Sequence, residues 1–127
     1  MPHQIILTDK APAPIGPYSQ AVRAGSTLYV SGQIPLDAAG QLVAGGVEVQ
    51  THQVLNNIAA VLAAAGLTLG DVVKCSIFVK SLDNFAIINQ VYGTYFDDST
   101  APARETVEVS RLPRDVEVEI SCIAVGA

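Results

Sequence analysis

"PARETVEVSRLPRDVEVEIS", residues 102–121, is the stretch on which the reading of the fold turns. It holds three of the four arginines, Arg104, Arg111 and Arg114, and five of the twelve acids, Glu105, Glu108, Asp115, Glu117 and Glu119. Around these charges the pattern has a period of two, which predicts strands at about 104–110 and 116–125 joined by a turn at Pro113. Alternation puts Val107, Val109, Val116, Val118, Ile120 and Cys122 on a core face. It puts Arg104, Thr106, Glu108, Glu117, Glu119 and Ser121 on the opposite face.

Upstream, Thr51, Val54, Leu55, Ile58, Val61, Leu62 and Ala65 repeat at i, i+3, i+4, i+7, predicting an amphipathic helix over 47–65 that Gly66 terminates. "DVVKCSIFVK" (71–80) alternates with Val73, Cys75, Ile77 and Val79 inward, which leaves Val72 and Phe78 on the other face. A second helix follows Asp83, with Phe85, Ile88, Tyr92 and Tyr95 or Phe96 on one side; Gly93 weakens its latter half. "TLYVSGQIPL" (27–36) reads as a strand with Leu28, Val30 and Ile34 on one face and Tyr29, Ser31 and Gln33 on the other. "APAPIGPYSQAV" (11–22), with three of the seven prolines, is an extended loop up to Tyr18. The order of elements predicts an α+β domain spanning 1–127, a mixed sheet with both helices on one face. The other face mixes charged groups with Tyr29, Phe78, Ile123 and Val125, and self-association is the natural way to cover it.

Half the residues are hydrophobic and 15% are charged, so the chain folds rather than remaining disordered. Seven basic residues against twelve acidic ones leave a net charge of −5, which disfavours nucleic acid and anionic membranes as partners. No basic segment leads into an apolar run at the N-terminus, and no apolar stretch reaches membrane-spanning length; a soluble, cytoplasmic protein is expected. Cys75 and Cys122 read as buried free thiols, and His3 and His52 lack metal-ligand spacing, so no metal site is expected.

Two readings stand for Arg104: a surface ion pair with Glu105 or Glu108, or a bidentate clamp for a ligand carboxylate. Glu119, mid-strand between Val118 and Ile120, is a solvated outward residue or a carboxylate that holds and deprotonates water. Tyr18 follows a rigid loop, where ligand contacts collect, and Gly32 marks a bulge or a close ligand approach. No serine–histidine–aspartate set, phosphate loop or nucleotide fingerprint is present.

Taken together, "APIGPYSQAV", "YVSGQIPLD", "VEVQTHQVLNNIAAVLAAAGLTLGDVVKCSIFVKSLDNF" and "PARETVEVSRLPRDVEVEISCIAV" resemble the Rid (YjgF) family of reactive-intermediate deaminases from about Thr8 onward. The resemblance implies a chorismate-mutase-like fold, a homotrimer whose sheets form a central barrel, and active sites between subunits. It implies hydrolysis of 2-imino acids and their enamine tautomers to 2-keto acids and ammonia without a cofactor. The family's carboxylate-binding arginine matches Arg104 and its water-activating glutamate matches Glu119; its substrate contacts match Tyr18, Ser31, Gly32 and Asn89. The chain departs at Thr106, where well-known deaminases carry a cysteine, and Glu105 adds a charge where a small polar residue is usual. A mechanism through activated water survives that change; one through a thiol nucleophile does not. Arg111 and Arg114 are expected as turn and interface charges. The rival readings are a non-catalytic small-carboxylate binder, an endoribonuclease or translation inhibitor, and a chaperone-like holdase.

Overall fold

A computed structural model describes residues 3–126, and the elements run β1 (Gln4–Ile6), β2 (Ala21–Ala24), β3 (Thr27–Gln33), α1 (Val47–Ala64), β4 (Val72–Val79), α2 (Phe85–Tyr92), β5 (Ala103–Glu108) and β6 (Val118–Val125). The strands form one mixed sheet in the order β1-β2-β3-β6-β4-β5, antiparallel except for the parallel β4–β5 pair. Both helices lie on one face, as the element order predicts. The predicted apolar stripe of α1 is the centre of the core: Thr51, Val54, Leu55, Ile58, Val61 and Leu62 are all buried. They pack on Leu28, Cys75, Ile77, Val118, Ile120 and Cys122 of the sheet. Gly66, at φ 77°, closes α1 in the left-handed conformation that a side chain disfavours. The second helix is cut short at Tyr92, with Gly93 as its cap. Among the described residues no helix is long and apolar enough to cross a membrane.

Three expectations about facing are overturned, two of them by a local break in alternation. In β4 it is Val72 that is buried and Val73 that is exposed, because the pairing with β6 shifts register between Val72 and Lys74. In β3 Gln33 is buried and Ile34 only half-buried, because a register shift between Val30 and Gln33 places a bulge at Ser31-Gly32. The third correction matters most for function. In β5, Arg104 pairs with Cys75, Thr106 with Ile77 and Glu108 with Val79, so these residues take the helix-side phase. Glu105 and Val107 pair with Ser76 and Phe78 and lie on the open face, the reverse of the predicted arrangement. A strand docking in parallel at a sheet edge takes its phase from its neighbour, and an evenly alternating Arg-Glu-Thr-Val-Glu run cannot report which phase that is.

The open face therefore presents Tyr29, Phe78, Val107, Ile123 and Val125 beside Lys74, Glu105, Glu119 and Ser121. Tyr29 (51%), Val107 (40%) and Val125 (42%) are exposed there, an apolar patch on a sheet whose other face carries the whole core.

Candidate functional site

Glu119, on β6, reaches a cavity of about 450 Å³ also lined by Tyr18, Ser31, Gly32, Pro113 and Arg114. The bulge in β3 makes room for the carboxylate, which lies over the side-chain-free face of Gly32. A Cβ added there would come within 2.9 Å of Glu119 Cδ and 3.2 Å of Cγ. Gly32 thus sits in a bulge, one of its two sequence readings, and gives its space to a protein carboxylate. Burial pushes the Glu119 carboxyl above its ordinary range, the direction a proton-shuttling group needs to work near neutral pH.

Three buried amides that the sequence pattern does not single out hold the walls. Gln20 accepts from the Thr8 N–H at 2.7 Å and donates to the Thr8 and Pro12 carbonyls at 3.0 and 2.9 Å, fixing the proline-rich loop. Asn57 of α1 donates to the Ile34 and Leu36 carbonyls at 3.3 and 2.8 Å, and Gln50 accepts from the Glu117 N–H at 2.9 Å. These bonds tie the segments after β3 and before β6 to the helix, and so set the positions of Gly32 and Glu119. Gln50 and Asn57 fall at the spacing of the α1 apolar stripe, and nothing in the sequence pattern marks Gln20. Tyr18 is half-exposed at the rim, its hydroxyl accepting from the Ile15 N–H at 3.3 Å, and the Ser31 hydroxyl donates to the Ser19 carbonyl at 2.5 Å.

Arg114, expected as a turn or interface charge, also lines this cavity. It and Asp115 both sit at φ 56°, and its guanidinium donates to the Gly40 carbonyl at 3.2 Å. Arg111 pairs with Asp115 at 2.8 Å on the exposed turn, as a turn charge should.

Arg104 lies elsewhere. On the helix side of the sheet edge it donates through Nη2 to Asn89 Oδ1 of α2. Its Cζ stands 4.6 Å from the ring centre of Tyr92 and 5.8 Å from that of Phe85. The simple ion-pair reading fails: Glu105 is taken by Lys74 at 2.9 Å, and Glu108 accepts from the Leu82 N–H at 2.9 Å. Among the described residues Arg104 has no carboxylate partner. Thr106, half-buried, follows two residues along on the same side.

The predicted residues therefore fall into two groups. Tyr18, Ser31, Gly32 and Glu119 share one cavity; Asn89, Arg104 and Thr106 share the helix side of the β5 edge. Glu119 and Arg104 point to opposite faces of the sheet, with β4 between their strands. Among the described residues no cluster of three or more His, Cys, Asp or Glu is arranged to hold a metal ion.

The model of the family described as endoribonuclease L-PSP matches residues 8–126. A RutC family protein of Pyrococcus horikoshii is 52% identical over 95% of this chain and 96% of its own length. A Salmonella typhimurium protein named 2-iminobutanoate/2-iminopropanoate deaminase is 50% identical over 94% of this chain and 95% of its own. Among solved structures, a member of the conserved Rid protein family from Yersinia pestis superposes with a TM-score of 0.94 at 47% identity, covering 98% of this chain and 99% of that one. Escherichia coli TdcF with bound serine superposes at 0.91 and 45% identity, covering 98% and 99%. The six-stranded sheet and two helices are shared with these neighbours, and the chain belongs to the Rid (YjgF) family.

Proposed function

We propose that this protein hydrolyses 2-imino acids and their enamine tautomers to 2-keto acids and ammonia, in a homotrimer whose sites form between copies. The observation that carries the reading is the separation just described. A partly buried carboxylate sits in one cavity, a guanidinium without a carboxylate partner among the described residues waits on the opposite side of the sheet, and one copy cannot bring both to one small molecule. A second copy covering the apolar open face would supply the missing half. The deaminase name of relatives half identical to this chain supports the same reaction.

In the reaction, Arg104 of one copy pairs with the substrate carboxylate and fixes the C=N carbon beside Glu119 of the next. Glu119 takes a proton from water as the water oxygen bonds to that carbon, giving a carbinolamine. Glu119 passes that proton to nitrogen, the C–N bond breaks with its electron pair leaving on ammonia, and the hydroxyl gives its own proton to Glu119 as the carbonyl forms. Tyr18 and Thr106 supply hydroxyls that orient the polar groups. The C=N carbon of a protonated imine is already electrophilic, so the chemistry asks for no cofactor. An endoribonuclease reading has less support, since the chain is acidic and, among the described residues, Arg114 is the one cation on the Glu119 cavity.

The test is loss of 2-iminopropanoate and 2-iminobutanoate generated by an amino-acid oxidase, with semicarbazide trapping what survives. The parent accelerates the loss, and Arg104→Ala and Glu119→Ala each abolish the acceleration. A folded parent that does nothing overturns the reading in favour of a carboxylate-binding protein.

A further inference from the structure

Arg104 poses a physical problem that its sequence position hides. A long, rotamer-rich side chain on an edge strand must be held still to clamp a carboxylate, yet the usual anchor, a protein carboxylate, would neutralise the charge the substrate needs. Helix α2 solves this without an acid. Phe85, Asn89 and Tyr92 stand at i, i+4 and i+7, on one face of the helix, and all three meet the guanidinium. Asn89 accepts one N–H, while the rings of Tyr92 and Phe85 lie at 4.6 and 5.8 Å, within the range at which an aromatic face attracts a cation.

Tyr92 is the firm part of this support. It is 5% exposed, stacked on Phe96 with ring centres 4.6 Å apart, and placed over Cys75, the residue that pairs with Arg104 across β4 and β5. Its buried hydroxyl makes no hydrogen bond to nitrogen or oxygen. The ring therefore carries the contact, and the hydroxyl is dispensable to it.

We infer that Tyr92, assisted by Phe85, is a positioning residue: its aromatic face holds the Arg104 guanidinium oriented and un-neutralised for the substrate carboxylate. The inference rests on the reading of Arg104 as the carboxylate clamp. It predicts that the electron density of the ring at position 92, beyond its shape, sets substrate affinity.

The experiment places phenylalanine, pentafluorophenylalanine and leucine at position 92 of the assembled protein. It reads KM and kcat for imine hydrolysis, the thermal transition, and the Kd of 2-oxobutanoate by calorimetry. Phenylalanine keeps the ring and should keep the parent's KM. Pentafluorophenylalanine keeps the shape but reverses the charge on the ring face, and should raise KM and Kd by about 5- to 30-fold with kcat and the thermal transition little changed. Leucine should do the same, and its defect should be rescued by phenylalanine. A folded pentafluorophenylalanine variant with the KM and Kd of the phenylalanine variant overturns the inference while leaving the deaminase reading intact. A parent that binds 2-oxobutanoate through Arg104 without hydrolysing imines overturns the deaminase reading and still reads the inference through Kd. A parent that does neither removes both.

Discussion

Replacing Gly32 by alanine should separate activity from stability. Gly32 does not sit at positive φ, so alanine adopts its backbone without strain. The three atoms nearest the added Cβ all belong to the flexible Glu119 side chain. Its distance of 2.9 Å to Glu119 Cδ falls short of the 3.4 Å of ordinary contact, so Cδ must retreat by about 0.5 Å and the nearer carboxylate oxygen by about 1 Å. Rotation of Glu119 into the cavity accommodates this at little cost. The loss of chain freedom in the unfolded state offsets part of that cost, so stability should change by less than about 1 kcal/mol. The same displacement moves the water-activating group away from the reacting carbon, and an error of that size costs about 100-fold in rate. Urea denaturation and kcat/KM for 2-iminobutanoate, measured on one preparation, test both halves. A variant with parent-like stability and parent-like kcat/KM would refute the claim that Gly32 exists to seat the Glu119 carboxylate.

Glu119→Gln should abolish hydrolysis and yet raise the thermal transition at neutral pH. The Glu119 pKa is raised in the folded state, so folding disfavours its ionised form. The parent loses stability relative to the variant as pH rises from the ordinary carboxylate value through the raised folded value. The advantage of the variant should therefore vanish in acid; an equal or lower transition for the variant at neutral pH would contradict the assigned burial. Asn57→Ala leaves the Ile34 and Leu36 carbonyls without their donor and should cost about 1–3 kcal/mol in urea denaturation, with a fall in kcat/KM as the wall beside Gly32 loosens. An unchanged unfolding midpoint would show that the amide is not holding that wall.

How much of this was legible beforehand follows from where periodicity is unbroken. Helix α1 announces itself because a long stretch of apolar positions keeps one spacing, and all but its last, Ala65, are buried as predicted. Cys75, Ile77 and Val79, and Val118, Ile120 and Cys122, kept their alternation for the same reason. Legibility failed at bulges, where one extra residue reverses the facing of Val72 and Val73, and at β5, whose phase is dictated by its neighbour. The three-residue β1 and four-residue β2 were too short to carry a pattern. For the site, Gly32 and Glu119 carried their own signal as a mid-strand glycine and a mid-strand charge. The role given to Asn89 came from family resemblance alone; for Tyr18 and Arg104 the resemblance chose between readings that residue chemistry had left open. The structure adds what surrounds them: Asn89 faces Arg104, Tyr92 lies beneath it, and Gln20, Gln50 and Asn57 brace the opposite cavity. None of those contacts follows from spacing alone, because each joins segments that only the folded chain brings together.

The central claim is that Arg104 of one copy and Glu119 of another serve a single substrate. Subunit complementation tests it most directly. Arg104→Ala and Glu119→Ala are purified separately, mixed in equal amounts, unfolded and refolded together, and mixed assemblies are verified by native mass spectrometry. If sites form between copies, random mixing restores an intact pair at about a quarter of them, so two inactive proteins should yield about a quarter of the parent's imine hydrolysis. Mixed assemblies that remain inactive, while the parent treated in the same way recovers its activity, would contradict the account.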